Sequence, residues 1–341
     1  MTRALSRSLL AVYATVFAWG LAYGLVLPTI SIRLDTAGHD SATIGAVVAV
    51  SALSVLFMAG KVPSLQARFG MVPITVACLL LQGLVFLTFI QVEHLFWWFV
   101  ISFVWGLVNT VPWVITEVWI NAVVPKGKRG RYMAIYAGLW GVGMALGPQV
   151  MLLVGAESNW PFYISALIYA ACALAIFVGR AGAPEIEADR DSSTMRATFA
   201  MLWLMPILVL YAFAGGLAET VIYALMPIYA IDSGYGEAFG ANLITAFAAG
   251  GIILQYGVGW LSDRFPPRHV MTFLLATGTL SALALPLAGA ALWLAFLLAF
   301  VFGGMVMSVY TLAITLVGHG IARKHLSTAH ALMVICYTAG G

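Results

Sequence analysis

Two carboxylates stand where carboxylates are costly. Glu117 and Glu219 each interrupt a long run of apolar residues. A charged side chain at the centre of a bilayer costs at least ~2.5 kcal/mol on an insertion scale, so each needs a reason to be there. Burial favours the neutral form of a carboxyl group, which can then load a proton or hold a cationic group. Near them in the runs stand side chains with an apolar body and a polar handle: Trp19, Tyr23, Asn109, Thr110, Trp113, Tyr223 and Tyr310. Any of these aromatics equally suits packing or an interfacial belt. Gln82, Gln149 and Gln255 read as interhelical hydrogen-bonding residues, and His319 as a solvated residue near a helix end. The sequence contains no P-loop, H-E-x-x-H helix, metal-ligand cluster or nucleophile elbow. Neither an enzyme nor a cofactor is expected. Cys78, Cys172 and Cys336 lie singly in apolar runs and suggest neither a disulfide framework nor a zinc site.

The elements that carry these residues follow from composition. Of 341 residues, 62% are hydrophobic and 9% charged, against about 25% charged in a soluble domain. So few charges cannot cover a water-facing surface, which sets aside soluble-enzyme and nucleic-acid readings. Apolar runs long enough to span a bilayer cover 9–32, 43–62, 72–92, 95–120, 132–154, 160–179, 199–230, 238–261, 269–288 and 291–318, and another begins near 328. Strand-like alternation is absent, so an all-α integral membrane protein is expected. Arg3 and Arg7 precede the first run, which has no cleavage site and reads as a first membrane helix.

With the N-terminus inside, fifteen of the sixteen Lys and Arg residues fall in inner loops, and only Arg33 falls outside. The outer loops hold Asp35, Asp40, Glu93, Glu157, Asp232 and Glu237. Retention of basic residues on the cytoplasmic side predicts a multi-pass protein of the plasma (inner) membrane with a cytoplasmic N-terminus. The mixed-charge stretch 180–198 reads as a linker between a six-helix bundle, 1–179, and a second, incomplete bundle, 199–341.

The halves repeat at an offset near 197 residues. Phe103-Val104-Trp105-Gly106 parallels Phe300-Val301-Phe302-Gly303. Gly20-Leu21-Ala22 leading to Leu27-Pro28 parallels Gly216-Leu217-Ala218 leading to Met226-Pro227. Ala67-Arg68-Phe69-Gly70 parallels Asp263-Arg264-Phe265-Pro266. Duplicated halves around a midplane site are characteristic of secondary transporters. Two complete halves need roughly 390 residues by doubling the offset, so the twelfth helix and most of the eleventh are expected to be absent from this sequence.

Gly259-Trp260-Leu261-Ser262-Asp263-Arg264-Phe265 resembles the G-x-L-x-D-R-x loop signature of the major facilitator superfamily. The first-half copy, Pro63 to Gly70, is degenerate, with Ala67 at the acidic position. Gly143-Met144-Ala145-Leu146-Gly147-Pro148 is similar to the end of the antiporter motif. Glu117-Val118-Trp119-Ile120-Asn121, followed by Arg129-Gly130-Arg131 and Ala134-Ile135-Tyr136, is similar to the YcaD-like branch and to sugar porters. The resemblance covers the chain. It implies the major facilitator fold, two six-helix bundles with a pseudo-two-fold repeat, in which helices 1, 4, 7 and 10 line the cavity. Ser102 occupies the place where many proton-coupled members carry an arginine.

Against that frame, Glu117 lies near the inner end of the fourth span. A salt bridge to Arg68 or Arg131 that locks the cytoplasmic side, a proton-carrying role and a solvated carboxylate all remain open. With Asp263 and Arg264 these residues form the expected inner gate. Glu219 is placed about twenty residues into the seventh span, in the middle-to-outer half of the bilayer. A proton- or substrate-binding role stands beside a buried glutamate satisfied by a Tyr or Thr. The overall expectation is a monomeric secondary active transporter, proton-coupled through Glu219 and tilted toward efflux. Its substrate is a neutral, amphipathic or cationic small molecule. An uncoupled facilitator and a non-transporting sensor or partner subunit are the alternatives.

Overall fold

The computed structural model describes residues 3–184, 194–288 and 291–341. The centre of the expected linker, 185–193, lies outside them. Regular structure among the described residues is helical throughout. The α-helices are α1 Arg3–Thr36, α2 Ser41–Met58, α3 Val62–Phe69, α4 Met71–Thr88, α5 Leu95–Val123, α6 Arg129–Val154 and α7 Trp160–Gly179. Then follow α8 Met195–Leu204, α9 Pro206–Asp232, α10 Glu237–Ser262, α11 Pro267–Ala284, α12 Leu292–Gly320 and α13 Leu326–Gly340.

In lipid a helix must satisfy its own polar groups. Hydroxyls inside these apolar helices do so locally: Thr29, Thr75, Thr110 and Thr315 donate to the carbonyls of Leu25, Met71, Gly106 and Thr311 at 2.7–2.8 Å. At the mouth of α2, outside the spans, Asp40 caps the helix by accepting the Thr43 N–H at 2.7 Å. That bond holds its carboxyl below the ordinary aspartate range. Gly70, with φ +82, turns the chain from α3 into α4 in a conformation that a side chain would strain. Large apolar side chains such as Leu153 and Trp203 are more than four-fifths exposed, as lipid-facing residues must be.

Nine helices among the described residues are long and apolar enough to cross a membrane, and a bent pair makes a tenth. That pair corrects the continuous span 199–230. The chain turns by 101° between Met195–Leu204 and Pro206–Ile222. Pro206 is the reason, because a proline disfavours helical geometry in the residue before it, here Met205. The span read as 43–62 also runs on, through a 3-10 turn and α3, to Phe69. Pro63 sits in the first turn of α3, where its missing N–H costs nothing.

The helices gather into two compact units, each drawing on both sequence halves. One comprises Met1–Val123, Leu139–Met201 and Ala322–Ile335; the other comprises Val124–Gly138, Leu202–Ile321 and Cys336–Gly341. The repeat is visible inside them. In the first unit, Gly106 of α5 lies against the Ser51 backbone of α2, Gly20 of α1 against Trp140, and Gly143 against Phe17. In the second, Gly303 of α12 lies against the Phe247 backbone of α10, Gly216 of α9 against Tyr337, and Gly340 against Phe213. Every partner recurs 196 or 197 residues later. A Cβ at any of these glycines would overlap main chain, so the crossings depend on glycine.

Arg33, the basic residue that breaks the charge partition, is held at its place. Its guanidinium donates to the carbonyls of Ala156, Glu157 and Ser158 and to Asn159 Oδ1, at 2.5–3.2 Å, and stacks over Phe162 at 4.8 Å. It ties the end of α1 to the turn between α6 and α7.

Candidate functional site

In the first unit, α1 and α5 bring four of the expected residues together. Trp19 Nε1 donates to Asn109 Oδ1 at 2.8 Å, and its ring lies 6.4 Å from that of Trp113. Tyr23 packs 5.2 Å from Trp105 and 6.3 Å from Trp140. One turn along α5, Trp113 Nε1 donates to Glu117 Oε1 at 3.0 Å.

Of the readings left open for Glu117, the described contacts favour neither arginine partner: it meets a histidine. Its Oε2 lies 3.1 Å from Nδ1 of His330 on α13, both side chains being essentially inaccessible. The other ring nitrogen, Nε2, lies 3.2 Å from Nδ2 of Asn121, which also donates to the Glu117 carbonyl at 3.3 Å. Arg131 pairs instead with Asp263, and Arg68 lies over the Phe69 ring at 5.1 Å. The physical reason is depth. Glu117 is six residues inside the end of α5, whereas both arginines stand in or beside the loops.

In the second unit, Glu219 is the fourteenth residue of α9, because the helix begins at Pro206. That places it about 20 Å along a 27-residue helix, at its middle rather than in its outer half. It is half-buried, and the Tyr337 hydroxyl donates to Glu219 Oε2. Tyr310 stacks on Tyr337 with centroids 4.5 Å apart. The side chain of Tyr223 lies outside the described residues. By the repeat offset, Glu219 stands where the first half has Tyr23, Tyr310 where it has Trp113, and Tyr337 where it has Trp140.

The loop signature also acquires a geometry. Asp263, almost fully buried, accepts the Gly130 N–H at 2.8 Å, the Arg131 N–H at 3.3 Å and Arg131 Nε at 2.9 Å. It therefore caps the positive N-terminal end of α6 with a negative charge. Arg264 stacks on Trp260 at 4.0 Å. The first-half counterpart in space is Gln66 and not Ala67: Gln66 Oε1 accepts the Ser327 hydroxyl at 2.6 Å, at the start of α13. Two more arginines cap helix ends reciprocally. Arg129 donates to the Gly318 carbonyl near the end of α12, and Arg323 donates to the Ala122 carbonyl near the end of α5 at 2.7 Å.

His330, Tyr337 and Gln66 are the residues that sequence reasoning missed. A histidine inside the apolar run after 326 was a usable signal, since ionisable residues in such runs are rare and functional. Among the described residues, no group of three or more His, Cys, Asp or Glu side chains is placed to hold a metal ion.

Comparison with known proteins identifies the scaffold. The family model described as Major Facilitator Superfamily matches residues 12–341. YfkF of Bacillus subtilis (strain 168), an uncharacterized MFS-type transporter, is 30% identical over 268 residues, 76% of this chain and 67% of the relative. YcaD of Escherichia coli O45:K1 (strain S88 / ExPEC), described in the same words, is 24% identical over 251 residues, 72% of this chain and 63% of the relative. The aligned region thus spans about two thirds of these relatives. Among solved structures, the transporter FucP in its outward conformation superposes with a TM-score of 0.80 at 16% identity, covering 99% of this chain and 90% of FucP. The human organic anion transporter MFSD10 gives 0.79 at 15% identity, covering all of this chain and 92% of that one. A duplicated helical scaffold, its glycine crossings and a family match running from residue 12 to the last residue agree: the chain belongs to the major facilitator superfamily.

Proposed function

We propose that the protein is a secondary active transporter that moves a small molecule by alternating access, coupled to protons through Glu219. The observation that carries the reading is the position of Glu219. It lies at the middle of α9, facing Tyr337, where the duplicated half has Tyr23. Duplicates share their packing needs, so a carboxylate present in one copy alone reflects a task other than packing. Its partner is a neutral phenol, so the pair lacks a fixed positive charge, which suits neutral, amphipathic or cationic substrates. Efflux is the direction favoured by the antiporter-like Gly143 to Pro148 segment. Asp263, Arg131, Arg264, Arg68 and Glu117 form the inner gate. We read the protein as a monomer of the plasma membrane with a cytoplasmic N-terminus.

The Tyr337 hydrogen bond supports a second reading, an uncoupled facilitator in which Glu219 is a satisfied buried acid. One experiment separates the two. A thermal-shift screen of the purified protein against metabolites and drugs finds a ligand through the stability it adds. That ligand is then followed in proteoliposomes with an imposed pH gradient. Wild type accumulates it against its own gradient. Glu219→Gln, fixed in a form resembling the protonated acid, binds and exchanges it but does not accumulate it. Uphill transport by Glu219→Gln at the wild-type rate assigns Glu219 to packing.

A further inference from the structure

We infer that His330, Glu117 and Asn121 form a second proton-binding site, separate from Glu219, whose occupancy controls the contact between α5 and α13. The hydrogen-bond pattern narrows the chemistry. The amide nitrogen of Asn121 donates to the Glu117 carbonyl and lies 3.2 Å from His330 Nε2; with the amide so turned, Nε2 is the acceptor of that contact. The ring proton therefore sits on Nδ1 and is donated to Glu117 Oε2, while Trp113 donates to Oε1. In that arrangement a neutral imidazole lies beside the carboxyl group, with both side chains buried. One added proton at Nε2 turns the contact into an imidazolium–carboxylate pair. Binding that proton requires the Asn121 amide to rotate and offer its oxygen, which breaks its bond to the Glu117 carbonyl.

The duplicated half shows that the fold does not require this pair. At the repeat offset, Glu117 corresponds to Ile314 and His330 to Met133, both fully buried in the second unit. A buried ion pair is commonly replaceable by well-packed apolar side chains without loss of stability. The second copy has that replacement, so titration distinguishes the first. Among the described residues, these groups stand around the imidazole and its partners. From α5 come Glu117, Asn121 and Trp113; α3 supplies the neutral Gln66, on Ser327; Met195 of α8 reaches the place beside Gly60 that Ile335 borders. A cation stands close along the chain: Arg323 donates to the carbonyl of Ala122, the residue after Asn121. Histidine changes charge within the range of pH that a cell experiences.

A bound proton turns the His330–Glu117 contact into a charge-assisted one, and so holds α5 and α13 together. Its loss favours separation and hydration. The assignment of the site stands apart from transport; its effect on opening rests on the alternating-access reading. The two are tested separately. Ring-15N-histidine NMR of the full chain in nanodiscs reads His330 directly, its signal being the one lost in His330→Gln. At pH 8 the Nδ1–H tautomer is expected, and on acidification both nitrogens become protonated. Glu219→Gln keeps this titration, while Asn121→Ala moves its midpoint. A ring in the Nε2–H form at pH 8, or one that does not titrate between pH 5 and 9, overturns the site. Opening is then read by maleimide labelling of Ala329→Cys, a buried position beside His330, in a chain lacking Cys78, Cys172 and Cys336. Labelling several-fold faster at pH 8 than at pH 5.5 is expected. Equal rates, with the NMR titration intact, overturn the control of opening and leave the proton site standing.

Discussion

Asp263→Ala removes three contacts at once: the Gly130 and Arg131 N–H groups lose their acceptor, and the Arg131 guanidinium loses its partner. The magnitude follows from the geometry. Loss of a helix cap costs about 1 kcal/mol. Loss of a negative charge at a helix N-terminus costs about 0.3–1 kcal/mol. The ion pair, its arginine one-third exposed, adds about 0–1 kcal/mol. The total is about 2 kcal/mol, roughly a thirtyfold shift in an equilibrium between joined and parted states. Asp263→Asn keeps one acceptor oxygen and loses the charge, for about 1 kcal/mol and roughly fivefold. The assay is alkylation of Ala134→Cys, a buried position one turn into α6, in a chain without Cys78, Cys172 and Cys336. Labelling should accelerate in the order wild type, Asn, Ala, well below the melting temperature of each variant. An Ala variant that labels at the wild-type rate refutes the idea that the Asp263 cap holds an inner gate. A variant that labels faster only as it melts shows a structural cap and no gate.

Two other perturbations test the architecture. Gly303→Ala drives a Cβ into the Phe247 backbone, and Gly106→Ala does the same at Ser51. Each should lower the melting temperature through overpacking of about 1–3 kcal/mol, whereas Gly257→Ala, with open space around it, should be neutral. Arg33→Ala frees four acceptors between Ala156 and Asn159. The loss should appear as faster proteolysis of that turn from the outer side, and cleavage there from the cytoplasmic side would instead invert the assigned topology.

Most of the fold was legible because in a membrane the strongest signal, apolar length, acts along the chain. Glycines were legible for a related reason: their positions at a fixed offset survive duplication when other residues drift, since a backbone crossing tolerates no side chain. The break at Met205 was obscured because both flanks are apolar, although Pro206 marks it. The candidate site divided along the same line. Trp19, Asn109 and Trp113 could be grouped from their expected helices. The partner of Glu117 lies 213 residues away, and no local pattern reports such a pairing. Formal charge pointed to Arg68 and Arg131, but depth decided the outcome: a carboxylate well inside α5 meets the histidine at its own level. Gln66 was passed over because the motif compares residue types, while the Ser327 hydroxyl needs only an oxygen in the right place.

The divergence between the halves shows where chemistry was added to a shared frame. Glycine crossings recur in both units, so both copies still obey the same packing constraint. A helix-end arginine stands in each copy, Arg129 on the end of α12 and Arg323 on the end of α5, though not at the repeat offset, where Arg129 meets Leu326 and Arg323 meets Lys126. The buried carboxylates and the histidine do not recur. Glu219 stands opposite Tyr23, Glu117 opposite Ile314, His330 opposite Met133, and Asp263 opposite Gln66. If these groups served packing, the apolar or neutral member of each pair would serve as well, and in the other copy it does. On the alternating-access reading, a symmetric frame with symmetric chemistry would open equally at both contacts. Here one contact is an aspartate on a helix end and the other a glutamine–serine bond near a His–Glu pair, so on that proposal the two respond to different conditions. Exchanging the members therefore has a defined result. A Glu117→Ile, His330→Met double variant should fold at least as well as wild type, because it reproduces the packing of the second copy, and should lose pH-dependent labelling of the α13 contact. Collapse of folding in that double variant, with each single variant stable, would show that the first unit needs its ion pair for structure.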